Sequence, residues 1–416
     1  MTLPGGDGVL SKRSQPILNF PQAAHFAATL RAFADLWDAE TNPEGHILVA
    51  VAENKLNSNA FKDKMQQAIA GWLNHTFLAG MDVTPDDLFI SNGVTSLLNT
   101  IFLPLADAGD GVLIPAPYYP AFDMDLMIRN GVHPVPFWLD EAGDVEAQLE
   151  AAFASAADVG RPVKALLLTN PNNPLGVMHA ESTLRAMLRW AVGRGVHLVS
   201  DEIYALTVHT GAGTFKSTLL VAQDMVGAGE LAAADVDTHL HLLWGLSKDF
   251  GGSGLRLGVL WSRNAQFKRV MGALSPFIQT SNLLQHAVAE MLTDHAWADG
   301  WIRDNQRMLG ESYAAFSDAL RGAGIPFAEA TSAMFVWIDL RHGGWRWLAA
   351  PTWEAERELW TRICGECKVI FTPGESCHAI EPGFFRVCFG WVTAQGLVEA
   401  TRRVSKLLRS IDAAQN

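Results

Sequence analysis

Short apolar runs set between helical patterns constrain the fold of this chain most. The runs are Leu88–Ser91, Val112–Pro115, Ala165–Thr169, His197–Ser200, His241–Trp244 and Leu257–Trp261. Several are nearly continuous in Val, Ile and Leu. A strand that is apolar on both faces must be covered on both faces, as in a mainly parallel sheet flanked by helices. Stretches such as Ser96–Leu105 and Glu181–Arg194 read as the crossover helices between strands. The predicted class is α/β. Two polar or alanine-rich stretches, Asp140–Arg161 and Val221–Asp237, read as surface helices or loops.

The chain has 416 residues, too many for one small domain. Its character changes after about Ser275. Long helical patterns, Asn282–Asp294 and Trp301–Ala323, precede the strand-like pieces Met334–Leu340, Val369–Phe371 and Phe385–Phe389. This predicts a second, smaller α+β domain. The expected division is an N-terminal segment, 1–55, packing with the small domain, then a large domain, 56–280, and a small C-terminal domain, 281–416. There is no internal repeat.

Composition excludes some classes of partner. With 49% apolar and 18% charged residues the chain reads as a soluble globular enzyme. A formal net charge of −13 without a basic stripe argues against nucleic acid and anionic membranes. No apolar run reaches the length of a membrane span, and no basic segment leads into an apolar stretch at the start, so a cytoplasmic location is expected. The cysteines are Cys364, Cys367, Cys377 and Cys388. Cys364 and Cys367 form a C-x-x-C without a second ligand pair or a βαβ context. They read as reduced thiols, and no metal is expected.

The stretch from Trp244 to Arg256 carries the clearest chemistry. Lys248 stands between Ser247 and Asp249, three glycines follow, and Arg256 comes eight residues after the lysine. A lysine that forms a Schiff base must be held still and partly desolvated. Glycines let the backbone approach a bound group, and an arginine offers a fork for phosphate. A phosphorylated aldehyde, pyridoxal phosphate, satisfies all of these.

Other motifs fall at strand ends. Thr169-Asn-Pro-Asn-Asn-Pro-Leu-Gly-Val177 makes a rigid turn where open α/β sheets bind ligands, with Asn173 as a fixed donor. In Ser200-Asp-Glu-Ile-Tyr204, Asp201 could hold a pyridine nitrogen protonated and Tyr204 could donate to a phenolic oxygen; the same residues would also serve as a plain helix cap. Pro115-Ala-Pro-Tyr-Tyr-Pro-Ala-Phe-Asp123 offers a tyrosine face for stacking. Asn92-Gly-Val-Thr-Ser96 opens a helix, either as an anion site or as an ordinary cap. Arg386 lies in an apolar strand-like stretch and wants an anion, either a substrate carboxylate or an internal acid.

Together these motifs resemble the class I/II aminotransferase superfamily of fold-type I pyridoxal phosphate enzymes, over nearly the whole chain. Ala52-Glu-Asn-Lys-Leu56, Pro117-Tyr-Tyr-Pro-Ala-Phe-Asp123, Ser376-Cys-His378 and Glu381-Pro-Gly-Phe-Phe-Arg-Val-Cys-Phe389 are most similar to 1-aminocyclopropane-1-carboxylate (ACC) synthases. The resemblance implies a large domain with a mainly parallel seven-stranded sheet, a smaller α+β domain and a homodimer. It implies Lys248 as the Schiff-base lysine and proton shuttle, Asp201 at the pyridinium nitrogen, Tyr204 and Asn173 at the ring oxygen, and Tyr119 stacked on the ring. It implies Val94, Thr95, Ser247 and Arg256 at the phosphate, and Arg386 on the α-carboxylate. Glu53 matches the family's glutamate beside the substrate, where a carboxylate suits the sulfonium of S-adenosylmethionine (SAM).

Two departures stand out. Gly245 replaces the family's serine before the Ser-Lys pair. After Leu56 the chain lacks the longer tyrosine-bearing segment that reaches the partner subunit in the relatives, and Phe61 could fill only part of its space. The implied reaction is Cα deprotonation of SAM with loss of methylthioadenosine, ending in ACC or in capture of the carbon skeleton by a second small-molecule substrate. Transamination from an amino acid to a 2-oxo acid uses the same cofactor residues. A non-catalytic homologue would not need Lys248, Asp201, Arg256 and Arg386 together.

Overall fold

The computed structural model describes residues 10–19, 35, 37, 39–46, 64–209, 211, 213–341 and 352–414. Seven strands form the larger sheet: β1 (Leu88–Ser91), β2 (Gly111–Ala116), β3 (His133–Trp138), β4 (Val163–Thr169), β5 (His197–Asp201), β6 (Leu240–Gly245) and β7 (Gly258–Ser262). Their spatial order is β1-β7-β6-β5-β4-β2-β3. Only β7 runs against its neighbours β1 and β6; every other pairing is parallel. The expected α/β class and mainly parallel seven-stranded sheet are therefore present.

The double-sided burial follows from the sequence. Leu113, Leu166, Leu198, Leu242 and Val259 face one core cluster. Their chain neighbours Val112, Ala165, Leu167, Val199, Leu243 and Leu260 face the other. Period-two alternation sends adjacent residues to opposite faces, and both faces are apolar because helices cover both.

Strand β3 was not legible in the sequence. Pro134 and Pro136 argue against a sheet interior. The strand is tolerated because it is an edge that pairs with β2 alone. Two residues apart, the prolines share one side of the strand, so both missing N–H groups fall on the side away from β2. The Ala-rich stretches form the helices Val145–Asp158, Thr218–Gly227 and Ala233–His239. Thr218–Gly227 is less superficial than expected, because Leu219, Val221, Ala222 and Met225 are buried in the core.

The second sheet has the order β10-β11-β9-β8, built from β8 (Phe327–Ala328), β9 (Phe335–Asp339), β10 (Thr372–Pro373) and β11 (Phe384–Cys388). All its pairings are antiparallel. The strand expected at Val369–Phe371 begins only at Thr372, which pairs with Arg386. The long helix starts at His295, earlier than Trp301, because the Asp294 side chain accepts from the Trp297 N–H at 3.0 Å and caps a new helix directly after the preceding one.

The two cores meet inside that helix. Its Ala298 and Ile302, with Val288, Ala289 and Leu292 of the preceding helix, join the large core, whereas Leu309, Tyr313, Phe316 and Leu320 join the small one. Residues 10–19 lie on the large sheet's side, where the Ser11 N–H donates to Pro104 O at 2.7 Å. No helix among the described residues is long and apolar enough to cross a membrane.

Candidate active site

The topology brings scattered motifs to one edge. The C-terminal ends of β1, β2, β4, β5 and β6 share that edge, as does the start of the reversed strand β7. Open α/β sheets present ligand sites there. The loop after β4 supplies Asn173, β5 ends at Asp201 with Tyr204 just beyond, and the turn after β6 supplies Ser247 and Lys248. The helix after β1 begins at Val94 and Thr95, the loop after β2 carries Tyr119, and Arg256 precedes β7. All of these line one cavity of about 740 Å³, and Arg386 enters it from the small sheet. Glu53 and Phe61 lie outside the described residues.

The floor of the cavity is buried and poorly satisfied. The Asp201 carboxylate accepts one backbone bond, from Ile203 N at 3.2 Å. Burial pushes this acid up to about 7, so it needs a cation opposite it to stay ionised at lower pH. Burial also lowers the Lys248 amine, with Arg386 adding to the effect, while Cys388 and Asp201 oppose it. The amine sits 6.0 Å from the centre of the Tyr204 ring. Thr169 Oγ1 and Arg386 Nε are buried without a hydrogen-bond partner.

One network joins the two sheets. Arg386 Nη1 donates to Asn173 Oδ1 at 2.9 Å, and Asn173 Nδ2 donates to the Tyr204 hydroxyl at 3.3 Å. Arg386 Nη2 donates to Thr372 Oγ1 at 3.0 Å, and its guanidinium lies 4.7 Å from the Phe335 ring centre. No carboxylate pairs with Arg386 among the described residues. Its charge is held by neutral groups and aimed into the cavity, which suits an incoming anion better than an internal salt bridge.

The anion end is built on missing side chains. Gly93, at φ 116°, caps the helix Val94–Leu105 without a capping side chain. A Cβ on it would lie 2.4 Å from Arg256 Nη2. A Cβ on Gly258 would lie 2.5 Å from Gly93 C, and one on Gly245 would lie 2.6 Å from Leu257 O. Gly245 is thus forced by close backbone packing, and a serine does not fit there without a shift. What remains is a helix N-terminus, the Thr95 and Ser247 side chains and the Arg256 guanidinium, a cradle for a phosphate.

The two adjacent tyrosines have different tasks. Tyr119 lines the cavity. Tyr118 is buried beside it, stacks on His378 with ring centres 4.5 Å apart, and donates to Asp123 at 2.7 Å. His378 Nε2 meets Asp123 Oδ2 at 2.8 Å, and the Tyr118 N–H donates to Cys377 O. This contact ties the loop after β2 to the segment between β10 and β11. Neither this role nor that of Thr372 and Phe335 beneath Arg386 is marked by a motif in the sequence. The Tyr118-Tyr119 and Ser376-Cys-His378 segments are the only local signs of the first. The second depends on a contact between sheets that has no local signature.

The residues fit pyridoxal phosphate: a desolvated amine, a buried acid short of a cation, and an uncapped helix start with an arginine. Comparisons with known proteins agree. The sequence profile described as Aminotransferase class I and II matches residues 33–404, and the chain belongs to that family. It is 35% identical to 1-aminocyclopropane-1-carboxylate synthase 6 of Arabidopsis thaliana, over 87% of this chain and 73% of that protein. It is 31% identical to 1-aminocyclopropane-1-carboxylate synthase 3 of Oryza sativa subsp. japonica, over 98% and 97% respectively. Among solved structures, the aspartate aminotransferase from Thermus thermophilus with maleate superposes with a TM-score of 0.66 at 21% identity, covering 83% of this chain and 81% of that one. The alanine aminotransferase from Pyrococcus furiosus gives a TM-score of 0.67 at 23% identity, covering 83% and 82%. Those structural likenesses establish the shared fold. The chain is an enzyme of a pyridoxal phosphate-dependent class.

Proposed function

We propose that this enzyme acts on S-adenosylmethionine, removing the Cα proton and expelling methylthioadenosine from Cγ. The observation that carries the reading is the shared cavity of the Lys248 amine, the buried Asp201 acid and the Arg386 guanidinium, which no carboxylate pairs among the described residues. The names of the relatives give 1-aminocyclopropane-1-carboxylate as their product, and the resemblance at Glu53 supplies SAM as the substrate class.

Each residue has a task that its chemistry allows. Arg386 takes the α-carboxylate in its fork and so orients the Cα–H bond. The Lys248 amine, lowered by burial, accepts the Cα proton as a general base. Asp201 would hold a proton on the ring nitrogen, and Tyr204 and Asn173 would serve the ring oxygen. Val94, Thr95, Ser247 and Arg256 would hold the phosphate, with Tyr119 on the ring side of the cavity. When bound, pyridoxal phosphate supplies the electron sink for the pair left on Cα. The electrons balance simply: Cα bonds to Cγ, the Cγ–S bond breaks, and the pair leaves with sulfur as neutral methylthioadenosine. ACC is the product when the ring closes; a second substrate could instead capture the skeleton.

Mass spectrometry of products from the cofactor-loaded enzyme and SAM tests the reading. Release of methylthioadenosine with ACC, or with a captured adduct, supports it. Unchanged SAM, together with amino-group transfer to a 2-oxo acid, would replace it by transamination.

A further inference from the structure

The mouth of the cavity carries an indole that the tasks above leave unused. Trp391 lines the cavity and is 87% exposed, the most exposed of the large apolar side chains among the described residues. Trp72, Trp244 and Trp261 are fully buried. An indole face left open at the mouth of a cavity is available to a ligand that enters it.

The backbone sets where this side chain starts. Arg386 and Cys388 are two residues apart on β11, so both face the cavity. Beyond them the Gly390 and Trp391 backbone N–H groups bond at Cys388. Gly390 packs closely, since a Cβ there would lie 3.2 Å from Met334 Cβ and 3.5 Å from Leu309 Cδ2. The tight turn places Trp391 at the rim, five residues beyond the guanidinium assigned to the carboxylate. Asn305, one turn before Leu309 on the same helix, also lines the cavity and donates its Nδ2 to Asp249 O at 2.9 Å, leaving its side-chain oxygen as an acceptor.

We propose that Trp391 is the specificity-determining platform on which the adenosyl sulfonium part of the substrate stacks, with Asn305 accepting from the exocyclic amine. The assignment rests on the SAM reading above. An indole face suits both halves of that group, because a purine ring stacks on it and a sulfonium is attracted to its π-cloud. An ordinary amino acid filling only the space between Lys248 and Arg386 would not reach it.

The test uses the cofactor-loaded enzyme, Trp391→Ala and Trp391→Phe, and three ligands. SAM turnover gives KM and kcat, titration calorimetry gives the affinity for methylthioadenosine, and the visible spectrum reports binding of L-alanine. Trp391→Ala should weaken methylthioadenosine and raise the KM for SAM by roughly tenfold, with Trp391→Phe recovering most of the loss. L-alanine binding and kcat should change little. The assignment is overturned if SAM and methylthioadenosine are unaffected, if L-alanine is weakened equally, or if the alanine variant changes its solution mass, which would make the indole a contact between subunits. A wild-type enzyme that leaves SAM untouched sinks the substrate reading, and the methylthioadenosine arm then still reports on Trp391 separately.

Discussion

The floor and the roof of the cavity are built on opposite principles. The floor comes from the large sheet, where backbone geometry places each group. Parallel strand ends align Asn173, Asp201 and Lys248, and the missing Cβ atoms at Gly93, Gly245 and Gly258 let Arg256 and neighbouring backbone close in around the helix start. The roof comes from the small sheet, where side chains do the placing. Thr372, Phe335 and Asn173 hold the Arg386 guanidinium, and Trp391 stands free at the rim. The proposed function divides labour between them: the floor would serve any amino acid on the cofactor, and the roof would select which amino acid arrives.

Substitutions on the two surfaces should therefore fail in different ways. Lys248→Ala removes the base and should lower turnover by at least about 10²- to 10⁴-fold, measured by product formation, for every amino acid tried. A substrate-selective loss would break the comparison. Arg386→Leu should leave the cofactor's visible spectrum in place and weaken substrate. Losing one member of a buried charge pair costs about 2–5 kcal/mol, so kcat/KM should fall by on the order of 10² or more.

Gly93→Ala sharpens the floor's side of the contrast. Its Cβ would collide with Arg256, and losing a charge-assisted bond costs about 1.5–3 kcal/mol. Cofactor affinity, followed by dialysis and absorbance, should drop roughly tenfold or more, with a smaller effect on substrate KM once the enzyme is saturated with cofactor.

The smallest effect concerns pH. Burial pushes Glu202 up to about 7 and Asp249 up to about 8. Both folded-state values lie above the unfolded ones, so the folded chain holds protons that the unfolded chain has already lost. Their contribution to stability is fully present below the ordinary carboxylate range and is lost as pH rises through about 7–8. Denaturant titrations of the cofactor-free enzyme should show falling stability across that window. Glu202→Gln should flatten the fall, because it keeps an oxygen for the Ser200 hydroxyl and the Thr218 N–H but no longer titrates.

The floor was legible in the sequence because its residues sit in contiguous motifs at strand ends. Lys248, Asp201, Asn173 and Arg256 each carry a local pattern, and the sheet order brings them together. The roof was only partly legible. Arg386 stood out as a cation among apolar neighbours, but Thr372 and Phe335 are recognisable only once β9, β10 and β11 have paired. Trp391 follows a strand with no pattern of its own; its interest comes from exposure at a cavity, a tertiary property. The fold followed the same rule. Apolar runs revealed the central strands, whereas the edge strand β3 was hidden by Pro134 and Pro136, which only an edge tolerates.

The central claim is that the amine at the end of β6 carries the cofactor. Borohydride reduction of the cofactor-loaded enzyme, followed by proteolysis and peptide mass mapping, tests it directly. The expected result is one phosphopyridoxyl label, on Lys248, that disappears in Lys248→Ala. A label on another lysine, or none on a protein saturated with pyridoxal phosphate, would contradict the account.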